Sequence, residues 1–183
     1  MNEFTQNEFE IFLVAVDRHL AGTFSLIIID GCAAALAYQV ERPSLDIDTW
    51  SETSDIEDAC RAARQETGLQ IPLHTAAIAD PPYHFEDRLV PLDIHSLSNL
   101  KIYVPEKHDL VLMKVVRGDE HDLETIKEIA EKNGLDLEVL VTRFLKEMQQ
   151  AIGRPETLKH NFLAAIERVF GEDIAEQTER RLN

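Results

Sequence analysis

The spacing of apolar residues changes partway along the chain. Up to residue 105, short apolar runs alternate with amphipathic segments, which predicts strands and helices in turn. From residue 106 onward, apolar residues recur mainly every three or four positions, which predicts helices only. We therefore expect an α+β fold, in which a mixed β-sheet core is flanked by helices (1–105) and a C-terminal helical lobe packs on that core (106–183).

Turn and capping residues set the expected bounds of these elements. Gly68 and Gly118 are placed to end helices, and Ser54 with Glu57 has the spacing of a capping box at a helix start. The expected helices cover approximately 7–20, 33–38, 54–67, 106–116, 119–132, 137–152 and 156–170, followed by a last short helix. The expected strands cover approximately 25–29, 46–50, 74–79, 88–92 and 101–104.

The most informative stretch leads from an apolar strand to a pair of carboxylates. The strand runs into Gly31, a short alanine-rich helix follows, and Asp46-Ile47-Asp48 comes next. Alternate residues of a strand face the same side, so Asp46 and Asp48 are expected together, with Leu45 and Ile47 facing the core. A half-exposed strand facing water would show the same alternation. The order of strand, glycine, helix and carboxylates favours instead a site for Mg²⁺ and a nucleotide phosphate.

Three further residues have two interpretations each. Cys32 is a small buried residue rather than a nucleophile, but its backbone N–H is placed to contact a phosphate. Lys114 is either a snorkelling lysine at a helix edge or a cation for a triphosphate or for the metal-binding carboxylates. Asp122 is either the partner of an N-cap at Asp119 or a functional carboxylate. Arg88 is expected to form only a surface ion pair with its neighbour Asp87.

Composition limits the partners and the compartment. The 183 residues carry a formal net charge of -16, which disfavours non-specific binding of nucleic acid and favours a small nucleotide or a basic protein partner. The two cysteines, Cys32 and Cys60, lack the spacing of a zinc site or a disulfide framework, and the histidines form no HxxxH pair. The N-terminus is acidic, unlike a signal peptide, and no apolar run is long enough to cross a bilayer. We therefore expect a cytoplasmic protein without a membrane span.

Together these residues resemble the nucleotidyltransferase fold. Gly31-Cys32 followed by Asp46-Ile47-Asp48 is similar to its motif of a strand, Gly-Gly or Gly-Ser, a short helix and Asp-x-Asp. The later segments 85–89, 100–105, 108–114 and 122–124 resemble small prokaryotic nucleotidyltransferase-like proteins, which are uncharacterised or related to abortive-infection toxins of the AbiEii and MenT kind. The resemblance covers roughly residues 28–129.

The resemblance implies a role for each matching residue. Asp46 and Asp48 would bind Mg²⁺, and Gly31 and Cys32 would frame the nucleotide phosphates. Lys114 and Asp122 would take the positions of the family's conserved lysine and aspartate. Cys32 stands where the motif has glycine or serine, and Asp93 is the candidate for a third carboxylate.

The implied activity is transfer of a nucleoside monophosphate from a nucleoside triphosphate to a hydroxyl of RNA or protein. The protein would then be the toxin of a toxin–antitoxin or phage-defence pair, with a partner protein. Two alternatives remain open. One is a catalytically degenerate copy that binds a nucleotide or a partner, and the other is a module that binds only protein.

Overall fold

The computed structural model describes residues 3–76 and 80–183, and within them the protein has an α+β fold. The chain folds into two compact units. The first unit comprises Met1–Ile78 and Leu89–Pro105, and the second comprises Ala79–Arg88 and Glu106–Asn183. The helices of the described residues are α1 Gln6–His19, α2 Asp30–Tyr38, α3 Glu57–Thr67, α4 Lys107–Arg117, α5 Glu120–Asn133, α6 Leu137–Glu147, α7 Pro155–Phe170 and α8 Glu172–Leu182.

The strands of the described residues all lie in the first unit. They are β1 Phe24–Ile27, β2 Ile47–Thr49, β3 Leu73–Thr75, β4 Val90–Leu92 and β5 Leu100–Val104. A mixed sheet has the order β1-β5-β4, in which β1 runs parallel to β5 and β4 antiparallel to it. The strands β2 and β3 form a separate parallel pair, and an antiparallel bridge between Ile28 and Thr49 connects this pair to the end of β1.

The helix α1 covers the core of the first unit with one apolar face. A capping box of Thr5 and Glu8 begins the helix, and Phe9, Phe12 and Val16 lie buried at helical spacing. At its end, Asp17 is buried, and its carboxylate accepts hydrogen bonds from the backbone N–H groups of residues 98, 99 and 100. One carboxylate thereby satisfies the donors of the turn that leads into β5.

The second unit is a bundle of helices around α4. The helices α5, α6 and α7 pack against α4, and α8 packs against α7. The side chain of Asn161 on α7 is buried and donates to the carbonyls of Val115, Val116 and Arg117 at the end of α4. The following Gly118 has a φ of +62°, and a Cβ there would lie 2.4 Å from the Asn161 side chain. Only glycine fits this helix end.

Arg88 corrects one expectation from the sequence. It lies in a 3₁₀ turn, Phe85–Arg88, and donates two hydrogen bonds to the buried carboxylate of Asp109 on α4 and one to Glu147 on α6. The bond to Asp109 is bidentate, and the pKa of Arg88 is raised because these carboxylates stabilise its charge. The prediction of a surface ion pair was wrong because this partner lies 21 positions further along the chain.

Three local predictions were also wrong. Residues Ser54–Ile56 form a 3₁₀ turn, and α3 begins after it without a side-chain cap. The helix α6 ends at Glu147 rather than at 152, because the backbone N–H of Tyr83 and the side chain of Gln150 bind the Glu147 carbonyl. Leu45 is 39% exposed, since β2 begins only at Ile47 and Leu45 lies in the bend before it. Residues 77–79 of the third expected strand, 74–79, lie outside the described residues.

Membrane insertion receives no support from the described helices, none of which combines the length and apolar character that a crossing requires.

Candidate metal and nucleotide site

Two carboxylates lie at the exposed face of β2. Ile47 and Thr49 are buried, whereas Asp48 between them is partly exposed. Asp46 precedes the strand, and the Asp46 and Asp48 side chains are 32% and 25% exposed. The Thr49 hydroxyl donates to the Ile27 carbonyl at 2.7 Å, and the Trp50 backbone N–H binds the same carbonyl, so β2 is held against the end of β1. The backbone that bears the carboxylates is therefore held in place, and their side chains are accessible to solvent.

An imidazole completes this cluster. His74 on β3 pairs in register with Asp48, and register partners in a parallel pair project from the same face. Its Nε2 lies 3.2 Å from Asp48 Oδ1 and 3.7 Å from Asp46 Oδ2. The ligand atoms of Asp46, Asp48 and His74 all lie within 4.8 Å of one another. We refer to these three residues as the β2–β3 cluster.

The beginning of α2 lies beside this cluster. The N-cap residue Ile29 donates its backbone N–H to the carbonyl of Asp48 at 2.9 Å, and no side chain caps the helix. The backbone N–H groups of a helix's first turn, together with its dipole, attract anions. A phosphate near the β2–β3 cluster would meet these groups.

The absence of a side chain at Gly31 allows Ser44 to pack closely against the start of α2. A Cβ on Gly31 would lie 2.7 Å from the Ser44 hydroxyl and 3.1 Å from the Ser44 Cβ. Two backbone hydrogen bonds between Ser44 and Phe4 hold Ser44 in place. The left-handed position of the turn is occupied by Asp30, with a φ of +57°, one residue before the glycine that the sequence motif indicates.

Cys32 lies near enough to the two carboxylates to feel their charge. It is fully buried, and burial together with the nearby charges of Asp46 and Asp48 raises the pKa of its thiol well above the usual value. The thiol is therefore neutral at physiological pH, and a buried neutral thiol is not a nucleophile. Its contribution to a phosphate site is limited to its backbone N–H.

The chain matches one family over residues 12–171, described as "Nucleotidyltransferase of unknown function (DUF6036)". The chain belongs to this nucleotidyltransferase family. No curated protein and no solved structure matches the chain. Membership implies a nucleotide substrate, and it makes the β2–β3 cluster the place to test for a bound cation.

The cluster fits the divalent cation that nucleotidyltransferases usually bind. Carboxylate oxygens are the preferred protein ligands of Mg²⁺ and Mn²⁺, and a neutral imidazole is a frequent ligand of transition metals. All three side chains are partly exposed, which leaves room for water or phosphate oxygens around an ion. Asp46, Asp48 and His74 are the residues that would hold it.

Lys114 and Asp122 form a second group, in the second unit. Lys114 Nζ on α4 lies 2.9 Å from Asp122 Oδ1 on α5, and these side chains are 2% and 1% exposed. Arg117 donates to both carboxylate oxygens. Burial raises the pKa of Asp122, but the hydrogen bonds from Arg117 and Lys114 outweigh burial and lower it. The Asp122 backbone N–H binds the Asp119 carboxylate, so the expected N-cap at Asp119 is present as well.

The structure thus places the predicted site residues in two groups. Gly31, Cys32, Asp46 and Asp48 lie together in the first unit, whereas Lys114 and Asp122 lie together in the second. Asp93, the candidate third carboxylate, follows β4 and lines a cleft of about 550 Å³ with Glu10, Arg18 and His95. Among the described residues, the third member of the β2–β3 cluster is His74 and not a carboxylate.

Sequence reasoning missed His74 because its role depends on a strand pairing. A search for histidines at fixed spacing cannot find it, since the cluster joins residues 26 positions apart. The detectable signal was a polar residue at the start of the next short strand after Asp-x-Asp. The left-handed backbone conformation of Asp30 was also missed. The motif indicates a glycine at this turn, and Gly31 is the next residue along the chain.

Proposed function

We propose that this protein is a divalent-metal-dependent nucleotidyltransferase that moves a nucleoside monophosphate from a nucleoside triphosphate to a hydroxyl of RNA or protein. The observation that carries the proposal is the pair of carboxylates at the open face of β2, beside the uncapped start of α2, in a chain of this family. Each part is one that nucleotidyl transfer requires.

The residues of the first unit have distinct tasks in this proposal. Asp46 and Asp48 would hold the cation, which supplies the positive charge that a bound triphosphate needs beside these carboxylates. A bound divalent cation neutralises charge that develops at the α-phosphate. The backbone N–H groups of the first turn of α2 bind phosphate oxygens. The acceptor oxygen then forms a bond to the α-phosphorus while the bond to the bridging oxygen breaks, pyrophosphate leaves with the electron pair, and the hydroxyl proton passes to water.

The acceptor and the biological role rest on the resemblance to small toxins. In this proposal the protein is the toxin of a two-gene pair in the cytoplasm, neutralised by a partner protein. The net charge of -16 argues for a basic protein partner and for an acceptor recognised at a few contacts rather than along a polyanion.

A nucleotide- or protein-binding module is the second candidate. Two observations favour it: the hydroxyl that the motif provides is replaced by the buried thiol of Cys32, and Lys114 is buried against Asp122. A nucleotide-binding module would bind a nucleoside triphosphate without releasing pyrophosphate, and a protein-binding module would do neither.

A labelling experiment tests the proposal. The full chain is incubated with α-labelled nucleoside triphosphates, Mg²⁺ or Mn²⁺, and total RNA or a protein extract. We expect label transfer that falls by about 10²–10³-fold in Asp46→Asn and in Asp48→Asn, because each removes charge that holds the cation.

The matched control is Asp58→Asn, at an exposed carboxylate on α3 that pairs only locally with Arg61 in the contacts described. This variant should keep the full transfer activity. Nucleotide binding without transfer in the unaltered protein would support the nucleotide-binding module. Neither nucleotide binding nor transfer would contradict the transferase and leave a module that binds only protein.

A further inference from the structure

The third member of the β2–β3 cluster is a histidine, whereas the resemblance calls for a third carboxylate on a central strand. His74 faces Asp48 across a two-strand parallel pair, and the backbone register fixes this relation, so it does not depend on one flexible side chain. The imidazole is 51% exposed, and its Nε2 lies beside one oxygen of each carboxylate.

The distances suit three ligands of one ion. Two atoms bound to a metal at about 2.0–2.2 Å lie roughly 2.8–3.6 Å apart when the angle between the bonds is near 90–110°. The Nε2 of His74 lies 3.2 Å from Asp48 Oδ1, inside this interval, and 3.7 Å from Asp46 Oδ2, just beyond it. The three ligand atoms all lie within 4.8 Å of one another, which is close enough for side-chain rotation to bring them around one centre.

An imidazole changes which cation such a site prefers. Mg²⁺ favours an all-oxygen environment, whereas Mn²⁺, Co²⁺ and Zn²⁺ accept nitrogen readily. We propose that His74 is the third protein ligand of the cation, and that the site therefore prefers Mn²⁺ or another first-row transition metal to Mg²⁺. The inference rests on the proposed function only in requiring that Asp46 and Asp48 bind a cation.

The competing arrangement is a protonated His74 that acts only as an ion-pair partner of the carboxylates. Both arrangements bring the imidazole to the same place, but they predict opposite effects of removing it. Loss of a ligand weakens metal binding, whereas loss of a competing positive charge strengthens it.

Electron paramagnetic resonance of bound Mn²⁺ distinguishes the two. Titration gives the affinity, and pulsed measurements report coupling to a directly bound imidazole nitrogen. We expect the coupling in the unaltered full-length protein, and in His74→Ala we expect its loss with at least about a tenfold weaker Mn²⁺ affinity. Competition with Mg²⁺ should show a smaller change in Mg²⁺ affinity.

Two variants complete the test. His74→Asp should recover Mn²⁺ binding without the nitrogen coupling and should shift the preference toward Mg²⁺, which also shows that the strand pair tolerates substitution. His19→Ala is the matched control, because His19 also lies beside a carboxylate, 2.8 Å from Glu66, but outside the cluster. It should leave both the affinity and the coupling unchanged.

The outcomes separate this inference from the proposed function. Mn²⁺ binding that depends on Asp48 but shows no nitrogen coupling, with undiminished affinity in His74→Ala, would overturn the role of His74 and leave the proposed function intact. Binding that is absent, or that is indifferent to Asp48→Asn, would overturn both.

Discussion

The Glu106 carboxylate accepts hydrogen bonds from two residues, His108 and Arg143. It caps α4 through the backbone N–H of His108, accepts a hydrogen bond from the His108 ring at 2.8 Å, and binds Arg143. The other ring nitrogen of His108, Nε2, accepts the backbone N–H of Asp136 at 2.8 Å. One imidazole thereby links the starts of α4 and α6.

This environment makes stability depend on pH. Burial raises the pKa of Glu106, but hydrogen bonds from His108 and Arg143 outweigh it and lower the pKa from 4.5 to about 2. Because the folded pKa lies below the unfolded one, the carboxylate stabilises the fold above about pH 4.5 by at most about 3 kcal/mol, and this is lost as pH falls toward about 2.

We expect Glu106→Gln to flatten the fall of the unfolding free energy between about pH 5 and pH 2. Urea denaturation at a series of pH values measures it. The exposed Glu172 of α8 provides the control, since Glu172→Gln should leave the slope as it is. Equal slopes for Glu106→Gln and the unaltered protein would contradict the assignment.

At the scale of elements, the turn between β1 and α2 depends on one missing side chain. Gly31→Ala would place a methyl group 2.7 Å from the Ser44 hydroxyl, and we expect a net loss of about 1–2 kcal/mol after the gain in helix propensity. Thermal or urea unfolding measures the loss.

The double variant Gly31→Ala/Ser44→Gly isolates the cause. Removing the Ser44 side chain removes both close contacts, so Gly31→Ala should be neutral or stabilising in that background. The same loss in both backgrounds would show that contact with Ser44 is not the reason for glycine at this position.

The ion pair between α4 and α5 raises the question whether Lys114 is structural or catalytic. Lys114→Met leaves the buried Asp122 short of a partner, and we expect a loss of about 3–5 kcal/mol. Lys114→Met/Asp122→Leu replaces the pair by apolar side chains and should recover most of that loss. Arg117→Met should cost less, because the Arg117 side chain is 54% exposed.

Transfer activity of the double variant then decides the role. We expect it to fold and yet to lack transfer, since the resemblance assigns both groups to catalysis. Retained transfer, measured with the labelling assay at a temperature where circular dichroism shows a folded protein, would make the pair purely structural.

At the scale of the whole molecule, the sequence predicted the fold class and most elements, but it did not predict contacts between distant segments. The α+β class was confirmed, as were strands at β1 and β5 and most helices, because hydrophobic period and glycine turns are local signals. The end of α6 and the partner of Arg88 were missed, since both depend on contacts between distant segments.

The candidate site divides in the same way. The sequence indicated Asp46 and Asp48 because alternation along a strand is local. His74 enters only through the pairing of β2 with β3, and the joining of Lys114 to Asp122 only through the packing of α4 on α5. Local patterns in one sequence do not show which distant segments pair with each other.

The path of the backbone has a practical consequence for anyone who wishes to express one part alone. The chain enters the second unit at residues 80–88, returns to the first for Leu89–Pro105, and then completes the second. A fragment ending at Pro105 would therefore carry Arg88 without the Asp109 and Glu147 carboxylates that bind it. Dissecting this protein calls for deleting or rejoining an internal loop rather than choosing a single cut.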